Sequence, residues 1–250
     1  LIEYKFLFQL YSWFSNADEK IVAGTYELNT ETDYRALVTN MSSSSSTRQT
    51  IDLTIPEGYT IDQIFNLLDE EGVSTVAQLE EMAANHDYAF DFLEDIPLGD
   101  YHRLEGYLFP DTYEFFEQSD AVTVLTKFLD NFEVKFSQEL RDRAQEIGMS
   151  IDEVVTLASV IEREAASDED RATVSSVFHN RLNSTQYPLL QSCATVQYVL
   201  QERKPVLTYD DIKIDSPYNT YLYEGLPIGP IASPGLASIR AALYPETTDY

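Results

Sequence analysis

Apolar residues recur along this chain in two periods, and the places where the period changes mark out its elements. Val22–Leu28 and Thr50–Ile55 carry β-branched and aromatic residues in the two-residue alternation of a half-buried strand. A helix follows the second of them: Pro56-Glu57-Gly58 supplies a turn, Thr60 can cap, and Ile61, Ile64, Phe65 and Leu68 fall on one face. Helical spacing returns over Val76–Ala84 and Val122–Leu140. Between these two lies Leu104–Phe116, an aromatic stretch around Pro110-Asp111. Its rings either fill a core beneath a turn or form a wall for sugars to stack on, and the core use is the commoner fate of such residues.

Past Gly148 the signals sharpen. Ser150 and Glu153 have capping-box spacing and open a helix whose Val154, Leu157, Ala158, Ile161 and Ala165 share a face. Ser167–Asp170 begins another, packed through Val174, Val177, Phe178 and Leu182, and Cys193–Leu200 reads as a third. Ser233-Pro234-Gly235 starts the last, with Pro234 expected at the first helical position, where its missing N–H costs nothing. The intervening Asp215–Ser233, rich in Pro, Gly, Tyr and Asn, suits no regular element, and long structured loops of this kind commonly carry function. Ser42–Ser46, a run of serines, reads as a plain loop. The order of elements predicts an α+β protein: a small α/β unit over residues 1–72, then a larger, mainly helical region with a few strands over residues 73–250.

Composition removes several functions. With 250 residues, 44% of them apolar, there is material for a sizeable core. A formal charge of −27 repels phosphate backbones, so no nucleic-acid partner is expected. The longest apolar candidate, Phe6–Phe14, is interrupted by Gln9 and Ser12 and is too short to span a bilayer. The one cysteine, Cys193, allows no internal disulfide, and His86, His102 and His179 lack metal-site spacing; neither a metal nor a cofactor is expected.

Carboxylates are then the plausible reactive groups. On the helix from Ile151, Glu164 falls about 60° and Glu162 about 100° from the centre of the apolar face. A glutamate held against Leu157, Val160 and Ile161 would be partly desolvated, which favours the protonated form that a general acid requires. The same geometry suits an ordinary solvated helix edge. It nominates Glu164 without deciding the matter.

The wording of the segment adds to this. Leu157–Ala165 (LASVIEREA), Val177–Leu182 (VFHNRL), Leu190-Gln191-Ser192, Thr195-Val196, Tyr218–Tyr221 (YNTY) and Gly225–Ile231 (GLPIGPI) resemble, in order and spacing, the YceG-like family of endolytic murein transglycosylases. The resemblance extends back through Leu104–Tyr113 (LEGYLFPDTY), Ile55–Gly58 and Ala23–Tyr26. It implies a peptidoglycan lytic transglycosylase with a LysM-like N-terminal unit and a catalytic region. A single N-terminal transmembrane helix would anchor it at the extracytoplasmic face of the bacterial cell membrane. On this reading the anchor and the start of the LysM-like unit precede Leu1, and a further strand and tail follow Tyr250. The second glutamate of the family's Glu-x-Glu pair is catalytic and maps onto Glu164. Glycan strands of peptidoglycan would be the substrate, with the peptidoglycan synthesis machinery as a further partner. Where many relatives carry an acid after Gln-Ser, this chain has Cys193, read as a small buried packing residue.

One carboxylate suffices for such an enzyme: it protonates the glycosidic oxygen, then takes the proton of the muramic C6 hydroxyl as the 1,6-anhydro ring closes. Gln191, Ser192, Tyr218, Asn219 and Tyr221 are of the type to bind the substrate through hydroxyl and amide groups, though each also suits a loop-bracing bond. Arg181 either meets a peptide-stem carboxylate or complements its own helix end, and His179 is either a proton shuttle or a paired side chain. Two other functions compete: a hydrolase using Asp111 or Asp215 as second carboxylate, and a non-catalytic glycan-binding module.

Overall fold

The computed structural model describes residues 50–249 together with Tyr11, Ser12, Ala17 and Val38. The expected strand Val22–Leu28, the serine run and most of the LysM-like unit lie outside the described residues. The chain divides into compact units Leu1–Thr50 and Ile51–Tyr250, and the account below concerns the second.

Among the described residues, a two-stranded sheet and eight α-helices are arranged as the α+β pattern anticipates. Strands β1 (Thr50–Thr54) and β2 (Thr112–Phe116) pair, with Ile55 N–H donating to Asp111 O at 2.9 Å where they meet. Helix α1 (Ile61–Glu70) buries the four residues its spacing singled out, and Thr60 and Gln63 close a capping box at its start. It packs on α2 (Val76–Asn85), so the helix assigned by pattern to the N-terminal unit lies within the 51–250 unit.

The expected single helix Val122–Leu140 is two: α3 (Ala121–Lys135) and α4 (Gln138–Ile147). Phe136 breaks it by turning fully into the core, where its ring stacks on Phe132, and Ser137 restarts the helix. The aromatic stretch is core as well. Tyr107 stacks on Phe92, meets Phe132 edge-on, and is fully buried; Tyr113 and Phe115 lie against Phe128. These rings therefore offer no sugar wall.

Helix α5 (Ile151–Glu164) runs through the centre, every residue from Val154 to Ile161 buried. The Ser150–Glu153 capping box is present, and α4, α6 (Arg171–Leu182), α7 (Cys193–Leu200) and α8 (Leu236–Leu243) pack around it. Asp215–Ser233 is a loop apart from turns, folded over α5, with Ile231 N–H donating to Ser159 Oγ at 3.0 Å. Gly106 lets this loop settle: its φ is +84°, and a Cβ there would stand 2.6 Å from Pro230 Cβ.

Pro234 is not the first residue of α8. The cap is Gly235, whose N–H donates to Glu162 Oε2 at 3.0 Å, and a Cβ on it would lie 1.9 Å from Glu57 Oε1. The helix therefore starts at Leu236, two positions later than proline preference alone suggests.

Candidate active site

The two glutamates of α5 meet different fates. Glu162 retains 7% side-chain exposure and is fully engaged: Arg171 Nη1 pairs with Oε1 at 3.0 Å, while Gly235 N–H and Ser238 Oγ donate to Oε2. Arg171 also pairs with Asp168 at 3.0 Å and lies 3.8 Å from Glu57. Burial, with Glu162 close by, pushes the Glu57 carboxyl above its ordinary range.

Glu164 ends the helix and is exposed. The desolvated position inferred from helix geometry is therefore occupied by Glu162 instead. A helical wheel describes one helix, whereas the cover over Glu162 comes from Arg171 and from the start of α8.

Glu164 is nonetheless held. Its Oε1 accepts from Ser192 Oγ at 2.5 Å and from the backbone N–H of Ala194 at 3.1 Å. Ser192 is the cap residue of α7, and Ala194 lies in its first turn. The carboxylate thus takes the place of an N-cap, supplying negative charge and an acceptor where α7 has unpaired N–H groups. Ser192 is buried and braced beneath: its N–H donates to Thr220 Oγ1 at 3.0 Å, and Thr195 Oγ1 donates to its carbonyl at 2.9 Å. Glu164 Oε2 has no hydrogen-bond partner among the described residues.

Gln191 reaches this arrangement by a strained turn. Its φ of 53° is uncommon for a residue with a Cβ, and its N–H donates to Thr220 O. The turn sends successive residues apart. Ser192 faces Glu164, while Gln191 lines an open groove of about 440 Å³ with Asn180, Arg181, Gln186, Tyr187 and Leu189. Tyr187 is exposed there, an aromatic face of the kind sugars stack on.

The other nominated residues separate into two sets. Tyr221 belongs to the site: its hydroxyl lies 3.1 Å from Cys193 Sγ, and burial, the thiol and the nearby Glu164 charge push it up to about 12. Asn219 is buried and braces the loop, donating to Ile212 O and Ile214 O and accepting from Tyr221 N–H. Tyr218 packs its ring on Tyr198, and burial raises its hydroxyl above the ordinary range. Arg181 turns back onto Leu190 O, and His179 Nε2 lies 2.8 Å from Ala242 O. Cys193 is exposed, being the first residue of α7, and does not fill a core as expected.

Neither proposed second carboxylate reaches Glu164 or its partners. Asp111 pairs with Lys135 at 2.9 Å, and that pairing with its Thr112 and Asn131 bonds holds its carboxyl below the ordinary range. Asp215 accepts from Tyr223. No group of His, Cys, Asp and Glu able to hold a metal occurs among the described residues.

The sequence profile of the YceG-like family matches residues 1–250. This chain belongs to the YceG-like family. Endolytic murein transglycosylase of Bacillus subtilis (strain 168) is 33% identical over 237 residues, covering 91% of this chain and 65% of that protein. The same-named protein of Streptococcus pneumoniae (strain D39) is 28% identical over 275 residues, covering all of this chain and 49% of that one. The chain therefore spans about half to two thirds of the length of these relatives. The crystal structure of a yceG-like protein from Listeria monocytogenes aligns with a TM-score of 0.70 at 33% identity, covering 99% of this chain and 84% of that one.

Seen as a YceG-like fold, the site includes groups that sequence reasoning missed. The Ala194 amide carries no side-chain signal. Thr195 and Thr220 were quoted only as parts of motifs, although their hydroxyls, 3.0 Å apart, tie α7 to the long loop. Glu105, fully buried, accepts from Ile61 N–H at 3.1 and 3.2 Å and from Tyr198 Oη at 3.1 Å, and burial pushes it up to about 8. A carboxylate inside the apolar LEGYLF run was the available signal.

Proposed function

We propose that this chain cleaves the glycosidic bond between N-acetylmuramic acid and N-acetylglucosamine within peptidoglycan glycan strands, as a lytic transglycosylase with Glu164 as acid and then base. The observation that carries it is the asymmetry of that carboxylate: Oε1 is fixed by Ser192 and Ala194, and Oε2 is exposed and unengaged among the described residues. Protonated on Oε2, Glu164 donates to the leaving glycosidic oxygen. The resulting carboxylate accepts the proton of the muramic C6 hydroxyl, whose oxygen closes on C1 to give the 1,6-anhydro end. No water is consumed, so no second carboxylate is needed, in keeping with the engagement of Asp111, Asp215 and Glu162 elsewhere. The names carried by the Bacillus and Streptococcus relatives support the same activity.

The groove beside Gln191 suits a saccharide, with the exposed Tyr187 ring, the Gln186 and Gln191 amides and the apolar Leu189 in its lining. The LysM-like unit, the anchored extracytoplasmic placement and an association with peptidoglycan synthesis extend this reading and rest on family membership. Purified murein incubated with the wild type and with Glu164→Gln tests it. Soluble fragments lighter by one water than hydrolytic products, released by the wild type alone, are expected. Fragments with ordinary reducing ends would replace it with hydrolysis, and sacculus binding without release would replace it with a binding module.

A further inference from the structure

A second groove borders the segment that holds Glu164. Its volume is about 270 Å³, and its lining includes Ala194, whose N–H is on Glu164, with Arg163, Arg203, Gln197, Gln63 and Asn66. Two cations here stand out in a chain of formal charge −27. Among the described residues most arginines and lysines sit against a carboxylate or a carbonyl, as Arg171, Arg141, Lys135 and Lys204 do. Arg163 gives one nitrogen to Gly58 O at 2.8 Å and has no carboxylate within 4.0 Å, and Arg203 has neither a hydrogen bond nor an ion pair. The same lining carries two acids, neither of them paired with these arginines: Asp62 accepts from the Tyr101 hydroxyl at 2.8 Å, and Glu202 lies 4.0 Å from Lys204.

The two guanidinium groups are also close enough to repel one another. The Arg203 charge is among the causes that lower the proton affinity of half-buried Arg163, after burial itself, while the charges of Glu162, Glu105 and Glu164 act in the opposite sense. Like charges brought together with acids so abundant nearby cost folding free energy, and an anion between them would relieve that cost. Guanidinium forks match carboxylates, and amides such as Gln63, Asn66 and Gln197 match the peptide groups that would carry them.

We infer that this Arg163–Arg203 groove is a subsite for the acidic peptide that substitutes the muramoyl sugar, binding its free carboxylates while the glycan passes Glu164. The inference rests on the transglycosylase reading for the identity of the substrate, and on the groove alone for its charge preference. Arg181, the residue first considered for this role, is committed to Leu190 O. Substrate selection would then follow the charge of the peptide, so strands whose stem carboxylates are amidated would be poorer substrates.

The test is calorimetric titration of Glu164→Gln protein, in which turnover is blocked, with a disaccharide-peptide bearing free stem carboxylates and with the same compound amidated. The acidic form is expected to bind about tenfold more tightly, with the difference shrinking as salt rises. Adding Arg203→Ala should remove that difference and leave the amidated form unchanged, and Arg163→Lys, which keeps a charge but loses the fork, should reduce it. Equal binding of the two forms, weakening of both by Arg203→Ala, or binding of neither would overturn the subsite. Failure of the transglycosylase reading shows in a different measurement, the release of murein fragments by the wild type, and would leave a charge preference in binding intact.

Discussion

Glu162 and Glu164 lie two residues apart on one helix and share a side-chain chemistry, yet the structure puts them to opposite uses. Both oxygens of Glu162 are consumed by Arg171, Gly235 and Ser238, and the group is closed off from solvent. Its bonds join α5, α6 and the start of α8. Glu164 spends one oxygen on the start of α7 and leaves the other open. In the proposed mechanism, what sets Glu164 apart is less how deeply a carboxylate is buried than whether an oxygen is left over once the fold has been served. A buried carboxylate with both oxygens bonded is poorly placed to trade a proton with a ligand.

The comparison breaks most readily at Glu164. Glu164→Gln keeps the shape and one acceptor but neither an acidic proton nor a basic carboxylate, and murein fragment release is expected to fall about 10³-fold with the melting temperature nearly unchanged. Glu162→Ala should do the reverse in kind. Arg171 would remain buried with Asp168, Glu57 and the Ser238 hydroxyl as its remaining partners, costing about 3 kcal/mol in denaturant unfolding, and activity per folded molecule would largely survive. Ser192→Ala removes a hydrogen bond to a charged group, so release is expected to drop about tenfold to a hundredfold with a small loss of stability.

Glu105 is the buried carboxylate that is neither open nor ion-paired, and its effect is read in the pH dependence of stability rather than in fragment release. Its folded value of about 8 lies above the ordinary 4.5, so the folded state holds the proton more tightly than the unfolded chain. Its contribution is fully present below pH 4.5 and is lost as pH rises through 8. Unfolding free energy should therefore decline across that window in the wild type, and Glu105→Gln should decline less steeply. Equal slopes for the two proteins would remove Glu105 as the cause.

Much of this was legible in the order of residues. Ile61, Ile64, Phe65 and Leu68 are all buried, and the Ser150–Glu153 capping box forms as its spacing indicates. Both are local patterns, decided within a few residues. Helix ends and burial are set by distant parts of the chain, and there the pattern misleads. Phe136 continues a helical period but is drawn into the aromatic core, and Gly235 displaces Pro234 because it must clear Glu57. Glu162 and Glu164 were misordered in burial because Arg171 and Ser238 are invisible to a helical wheel. Helix geometry nominated Glu164 on the ground of a burial it does not have, and family resemblance pointed to the same residue. The Ala194 amide that holds the carboxylate, and the two buried threonines that brace Ser192 beneath it, have no signature that spacing alone reveals.

Chemical rescue tests the division between the two glutamates most directly. Glu164→Ala and Glu162→Ala would each be assayed for murein fragment release across a formate titration, with melting temperature followed in parallel. Because Glu164 stands exposed, formate should enter the vacated space, take up the Ser192 and Ala194 donors and restore release at least tenfold, leaving the melting temperature where it was. The Glu162→Ala protein should gain no activity from it. Rescue of Glu162→Ala but not of Glu164→Ala, or unimpaired release by Glu164→Ala without formate, would contradict the account.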